Sequence, residues 1–287
     1  EGSQGLLTTV VDAIREKTLD AEILFVFCNK ESGEHTGSDQ FMNMVREYGI
    51  PLITFSSQEF RRKQKAPSIS MVREAYDREV MDRMSHYSPD MCVLAGHMLI
   101  VGHEMCRKYT MLNLHPALPD GPMGTWENVI WRIIETRASE HGAMIHLATE
   151  ELDQGPAISY ASFSLRDTMF DSLWNGVAGE SVTSLREKYG SDFPLFQMIR
   201  RQGLKLERPL LLETLKSFSG QELMISGGVV VNSAGKVEPP LCINSLIETY
   251  EGNASEYDDV TFTTSDSTTA KASLDEESVS LLLGKAF

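Results

Sequence analysis

Met111-Leu112-Asn113-Leu114-His115-Pro116-Ala117-Leu118-Pro119 is a short apolar run that carries an amide and an imidazole two residues apart and is then stopped by proline. Side chains alternate along a strand, so Asn113 and His115 leave it on the same side, and Pro116 ends the pairing just beyond them. A second stretch, Glu151-Leu152-Asp153-Gln154-Gly155-Pro156, follows the alternating run Ala143-Met144-Ile145-His146-Leu147 and sets a carboxylate on a turn that Gly-Pro keeps out of regular structure. An amide, an imidazole and a carboxylate meeting at the carboxyl edge of a sheet suit acyl transfer. They supply a donor for an oxyanion, an acid or base, and a group that orients and charges the imidazole. Asn113, His115 and Asp153 are therefore the catalytic candidates. Each also has a plain structural role open to it: a satisfied histidine at a strand end, a backbone partner, a turn former. His146, inside the strand before the acid turn, is a secondary candidate with core packing as its alternative.

Outward from these two stretches the chain alternates strand and helix. Leu6, Leu7, Val10, Val11 and Ile14 give one apolar helical face, preceded by Gly2-Ser3-Gln4 as a loop leading into the helix start. Glu22 to Cys28 and Pro51 to Phe55 read as strands around a helix from Asp39 to Tyr48, the rhythm of a parallel α/β sheet. Gln58 to Ser68, with Arg61, Arg62, Lys63 and Lys65, reads as a solvated loop, and a helix is expected from Met71 to His86 with Val72, Ala75, Tyr76, Val80 and Met84 inward. Met91 to Ala95 is a buried strand closing on Gly96, where backbone can approach a ligand. Thr125 should cap a helix carrying Trp126, Val129, Ile130, Ile133 and Ile134. Strands are expected near Ala143 to Ala148 and Ala157 to Phe163. Helix should follow from Phe170 to Ser219, interrupted at Phe193-Pro194, and then a hairpin through Val229-Val230-Val231 and Asn232 to Lys236.

The chain has 287 residues, 41% of them apolar, enough for one large domain with an appendage. Residues 1–205 are expected to form the main domain, 206–250 a helical and hairpin extension, and 251–287 an acidic, Ser/Thr-rich flexible tail with a weak helix at Leu274 to Leu283. The formal charge of −15 disfavours nucleic acid and anionic membranes as partners, since both need a basic footprint. There is no long apolar run and no basic-then-apolar opening, so a cytoplasmic location is expected. The four cysteines have no paired spacing, which signals neither a disulfide framework nor a zinc site.

With these residues in view, the chain resembles the folate-dependent formyltransferases over roughly Glu1 to Arg166, and within them the glycinamide ribonucleotide branch. Asn113-Leu114-His115-Pro116 matches the family's Asn-x-His-Pro, and Leu152-Asp153-Gln154-Gly155-Pro156 its Leu-Asp-x-Gly-Pro. Arg73-Glu74-Ala75-Tyr76-Asp77 and Val93-Leu94-Ala95-Gly96-His97-Met98 resemble the segments between. The resemblance implies a Rossmann-like, mostly parallel twisted sheet flanked by helices, and a formyl transfer from 10-formyltetrahydrofolate to a phosphorylated small-molecule amine, without a metal. It implies that Met98, Leu99, Ile100, Val101, Ala148, Thr149, Glu150 and Glu151 line the folate, and that Gly2, Ser3, Gln4, Gly96 and Pro116 hold the acceptor, with a homodimer compatible. A sugar-amine formyltransferase, a formyltetrahydrofolate hydrolase and a non-catalytic folate- or nucleotide-binding paralogue stay open. A tRNA-modifying relative is disfavoured by the acidic tail. Four features depart from the family. Its first strand is absent, cleaved or not covered here, and because a parallel sheet lacking an inner strand would expose apolar faces and unpaired amides, a longer natural chain is expected. The loop after His115 is one residue short, Leu99 stands where an arginine is common, and the helix that supplies ribose-binding groups is poorly matched around Arg186 to Pro194.

Overall fold

Along Glu22–Cys28, Phe25 and Phe27 alternate with Val26 and Cys28, and the two pairs enter different cores. That alternation marks a strand covered on both faces, as in doubly wound α/β folds. The computed structural model describes residues 2–96, 99–251 and 279–284.

In chain order the strands are β1 (Glu22–Cys28), β2 (Leu52–Thr54), β3 (Cys92–Leu94), β4 (Met111–His115), β5 (Glu140–Leu147), β6 (Ala157–Ser164), β7 (Leu223–Ser226), β8 (Val229–Asn232), β9 (Leu241–Cys242) and β10 (Val279–Gly284). The helices are α1 (Gly2–Arg15), α2 (Thr36–Glu47), α3 (Ser57–Lys63), α4 (Arg73–Arg83), α5 (His103–Lys108), α6 (Trp126–Thr136), α7 (Thr168–Trp174), α8 (Val182–Tyr189), α9 (Pro194–Ser219) and α10 (Asn244–Glu251). Eight strands form one sheet in the order β2-β1-β10-β3-β4-β5-β6-β9. Six of them point the same way and two, β5 and β10, run against them, so the sheet is mostly parallel in direction. β7 and β8 make a separate hairpin.

One face of the sheet is covered by α1, α2 and α9, through Leu7, Val10, Met42, Val45, Leu210 and Leu211. The other is covered by α3, α4 and α5, through Phe60, Tyr76, Val80, Met84 and Met105. A third apolar cluster joins α6, α7, α8 and the first half of α9 around Trp131, Phe170 and Phe196. The carboxyl ends of β1, β3 and β4 share one edge, where ligands bind in open α/β sheets. Among the described residues, no helix is long and apolar enough to cross a membrane.

Several expectations change. Gly2, Ser3 and Gln4 are the first turn of α1 itself and not a loop before it. Within Gln58 to Ser68, residues through Lys63 belong to α3, because Ser56 caps it by accepting from the Glu59 amide and Phe60 anchors it in the core. Ala75 is exposed, while Arg73 and Asp77 on the same helix are buried. The Asn232 to Lys236 turn forms, closing a single bridge between Val231 and Val237, but a second hairpin with its turn at Gly227 and Gly228 precedes it. The weak helix expected at Leu274 to Leu283 is replaced, from Val279 on, by β10. A short apolar run does not separate strand from helix by periodicity. β10 lies between β1 and β3, antiparallel to both neighbours, and fills an inner place of the sheet. The division expected at residue 205 falls inside α9, whose Leu206, Leu210 and Leu215 belong to the main core. The rest of the segment expected to be flexible, 252–278, lies outside the described residues.

Candidate active site

β4 delivers Asn113 and His115 at its carboxyl end, and antiparallel pairing with β5 sets His146 directly opposite Asn113. The acid turn follows β5. Asp153 sits at φ 54°, a left-handed conformation that aspartate tolerates better than most residues. Gly155 lets the turn press onto the strand, because a Cβ there would lie 1.7 Å from the Leu147 carbonyl oxygen. Folded in this way, the turn brings the Asp153 carboxylate back over β4.

Three side-chain nitrogens converge on one carboxylate oxygen. Asn113 Nδ2 donates to Asp153 Oδ1 at 3.4 Å. His115 Nδ1 and His146 Nε2 each lie 3.8 Å from the same oxygen. The other carboxylate oxygen, Oδ2, accepts from the Gly124 amide at 3.2 Å, which ties the loop after His115 to the acid turn.

The histidines differ in what they face. His146 donates from Nδ1 to the Leu147 carbonyl at 3.0 Å, which leaves Nε2 as the acceptor for Asn113 Nδ2 at 3.0 Å. Burial lowers its pKa and keeps the ring neutral, so its approach to Asp153 is not an ion pair. His115 is buried, and its Nε2 meets the Pro122 carbonyl at 3.0 Å while Nδ1 looks to Asp153. Both neighbours of that ring are oxygens that can only accept.

Of the residues expected to line the folate, Leu99, Val101 and Ala148 pack against the α4 and α5 core, and Ile100 is half exposed. Thr149 Oγ1 donates to the Glu151 carbonyl within the turn. Glu150 is engaged by Arg107 and by His103 Nδ1 at 3.2 Å, both on α5. Met98 lies outside the described residues. Of the residues expected to hold the acceptor, Ser3 donates from Oγ to the Ala95 carbonyl at 3.2 Å, so the first turn of α1 is held beside Gly96. Pro116 borders a cavity of about 10 Å³, room for a single water, whose other walls include His141, Arg200 and Glu207.

Sequence reasoning missed those last three. His141 hides at the start of an apolar alternation, and burial pushes its pKa down to about 4. Arg200 and Glu207 form an ion pair at 3.0 Å, with burial pushing the Glu207 carboxyl up against the opposing pull of Arg200. Their seven-residue spacing places them on one helical face, which was the available signal.

A family described as "Formyl transferase" matches residues 1–168. The phosphoribosylglycinamide formyltransferase of Escherichia coli is 31% identical over 163 residues, spanning 56% of this chain and 68% of that protein. A formyltetrahydrofolate deformylase of Haemophilus influenzae is 26% identical over 144 residues, 49% of this chain and 44% of that protein. Among solved structures, glycinamide ribonucleotide transformylase 1 from Symbiobacterium toebii superposes with a TM-score of 0.57 over 81% of this chain and 90% of that one. At 22% identity that likeness is one of fold.

Proposed function

The chain belongs to the formyl transferase family, and on that premise we propose that it carries a formyl group from 10-formyltetrahydrofolate to the amine of glycinamide ribonucleotide. The observation that carries this reading is the approach of Asn113 Nδ2 and His115 Nδ1 to a single carboxylate oxygen of Asp153, with the neutral ring of His146 accepting the amide's other N–H. A pocket that already gathers nitrogens around a carboxylate oxygen suits the oxygen that becomes negative when an amine adds to a formyl carbon.

The folate supplies the formyl carbon. Leu99, Val101 and Ala148 offer apolar walls suited to a flat ring, and the exposed side chains of Ile100 and Leu152 extend that surface. Asn113 Nδ2 and an N–H of His115 would stabilise the developing oxyanion, each donor of this kind contributing roughly 3 kcal/mol. His146, neutral, holds the amide with one N–H occupied and leaves the other for the oxyanion, which replaces Asp153 Oδ1 as its acceptor. Asp153, facing His115 Nδ1, orients the ring and takes the proton that the amine loses on forming its new C–N bond. It returns that proton to the folate nitrogen as the old C–N bond breaks. The free amides in the first turn of α1, Gly2 to Gln4, suit the acceptor's phosphate, with Gly96 allowing close approach and Pro116 bordering the acceptor.

The similarity to a deformylase favours one rival, in which water takes the place of the amine. The test is the rate of folate deformylation, followed by absorbance, with and without glycinamide ribonucleotide. Amine-dependent turnover is the expected result. Equal rates in both would transfer the assignment to hydrolysis, and no turnover in either would sink formyl transfer to this acceptor.

A further inference from the structure

We propose that Glu74 and Asp77 on α4 are positioning residues for the formyl donor's side of the site, acting through α5 on both segments that flank it. The inference rests on the function proposed above and extends it to residues that touch neither substrate.

α5 has six residues, too few to hold its own shape, and its N-cap, Gly102, offers no side chain to its first turn. α4 supplies what is lacking. Asp77 Oδ2 accepts from the Gly102 amide at 2.6 Å, and Glu74 Oε1 accepts from the His103 amide at 2.9 Å. Asp77 is fully buried, and its other oxygen is paired with the buried guanidinium of Arg73, one turn back on the same helix. Gly102 lets both carboxylates come this near, since a Cβ there would lie 2.9 Å from each and push them back.

From α5 the constraint passes in two directions. Met105, on its inner face, is part of the core on which Leu99, Val101 and Ala148 rest. On the other side Cys106 Sγ reaches the Thr149 carbonyl at 3.4 Å, and Glu150 is gripped by Arg107 and His103. Glu150 is three residues before Asp153. The carboxylates of α4 therefore set where α5 sits, and α5 sets both the 99–101 wall and the root of the acid turn.

The prediction is specific to one substrate. In the full chain, Glu74→Ala should raise the KM for 10-formyltetrahydrofolate at least about fivefold and leave the KM for the amine within about twofold. Amide exchange at Thr149 to Leu152 should quicken in parallel. Glu74→Gln keeps an acceptor oxygen and should recover most of the donor KM. Arg107→Ala breaks only the surface tie between α5 and the turn, so it should give the same donor-selective rise even if an α4 variant folds poorly. Equal rises in both KM values, or an Arg107→Ala enzyme with unchanged donor KM and unchanged exchange at 149–152, would overturn the inference. The functional premise fails separately: wild-type protein in which tetrahydrofolate protects no amides at 149–152 and no formyl transfer occurs has lost the premise itself.

Discussion

Asn113 has two amide hydrogens, and the neutral ring of His146 claims one of them, so only the second can serve chemistry. On this reading Asn113→Ala should lower kcat by roughly 10²- to 10³-fold while the melting temperature holds, because Asn113 is half-buried and donates to neighbouring side chains rather than filling the core. A steady-state kcat within threefold of wild type would remove the amide from the mechanism. His141 makes a different prediction. Its pKa is about 4 in the fold because burial disfavours the charged ring, against about 6.5 when unfolded. The unfolded chain therefore binds the proton first, and stability present above pH 6.5 is lost as pH falls toward 4. The full window amounts to roughly 3 kcal/mol from this one ring. His146 is shifted in the same direction by the same cause. Urea midpoints of His141→Gln should fall less between pH 7 and pH 5 than those of wild type, and parallel slopes would rule the residue out. Asn113, His115 and Asp153 were legible in the sequence because a strand's alternation and a Gly-Pro turn fix where such side chains go. His141, Arg200 and Glu207 were not, since a buried polar residue is explained only by neighbours distant along the chain.

The elements that hold the site are the strand pair β4–β5 and the acid turn, and the turn depends on one missing atom. Gly155→Ala would drive a methyl into the Leu147 carbonyl, a backbone atom that cannot step aside. The turn must then lift away from β5 and carry Asp153 with it. kcat/KM should fall at least about 10²-fold, since misplacement by about 1 Å is enough for that. Activity retained in Gly155→Ala would show that the turn can shift without moving its carboxylate out of register. β10 was the least legible element. Its six residues form an apolar run without a diagnostic period, and what settles them as a strand is the exposed backbone of β1 and β3, which no local pattern reveals. Leu281 pairs with both Val26 and Val93, so Leu281→Pro should break the ladder in the middle of the sheet. At this size a loss of 1 kcal/mol is roughly 2–4 °C, and a central proline should lower the melting temperature by several degrees or more. An unchanged melting curve, together with fast amide exchange across residues 279–284, would mean that the strand does not support the sheet. α3 was missed for a related reason. Its basic residues read as solvated surface, and the single buried ring of Phe60, with the Ser56 cap, outweighs them.

At the scale of the whole molecule the question is whether the sheet and the α6–α8 cluster are one cooperative body. The boundary expected at residue 205 splits the main domain from residues 206–250, in a helical stretch that Pro194 and Pro209 punctuate. Pro194 is only the first residue of α9, where its missing amide is harmless, and Pro209 lies inside a helix that continues through it. Leu195, Phe196 and Ile199 bury one half of α9 in the α6–α8 cluster, while Leu206, Leu210, Leu211 and Leu215 bury the other half against the sheet. A single rigid element anchored in both cores makes it costly for either to melt alone. The three tryptophans, Trp126, Trp131 and Trp174, all belong to the α6–α8 cluster, so their fluorescence reports that body while far-ultraviolet circular dichroism reports the whole. Urea unfolding followed by the two signals should give coincident curves. Leu210→Ala removes a fully buried side chain on the sheet side, at a cost of roughly 2–5 kcal/mol. It should move both curves equally, although no tryptophan lies in the core it damages. If the fluorescence midpoint stayed in place while the dichroism midpoint fell, α9 would be a hinge between two independent bodies, and the Arg200–Glu207 pair could move without disturbing Asn113, His115 and Asp153.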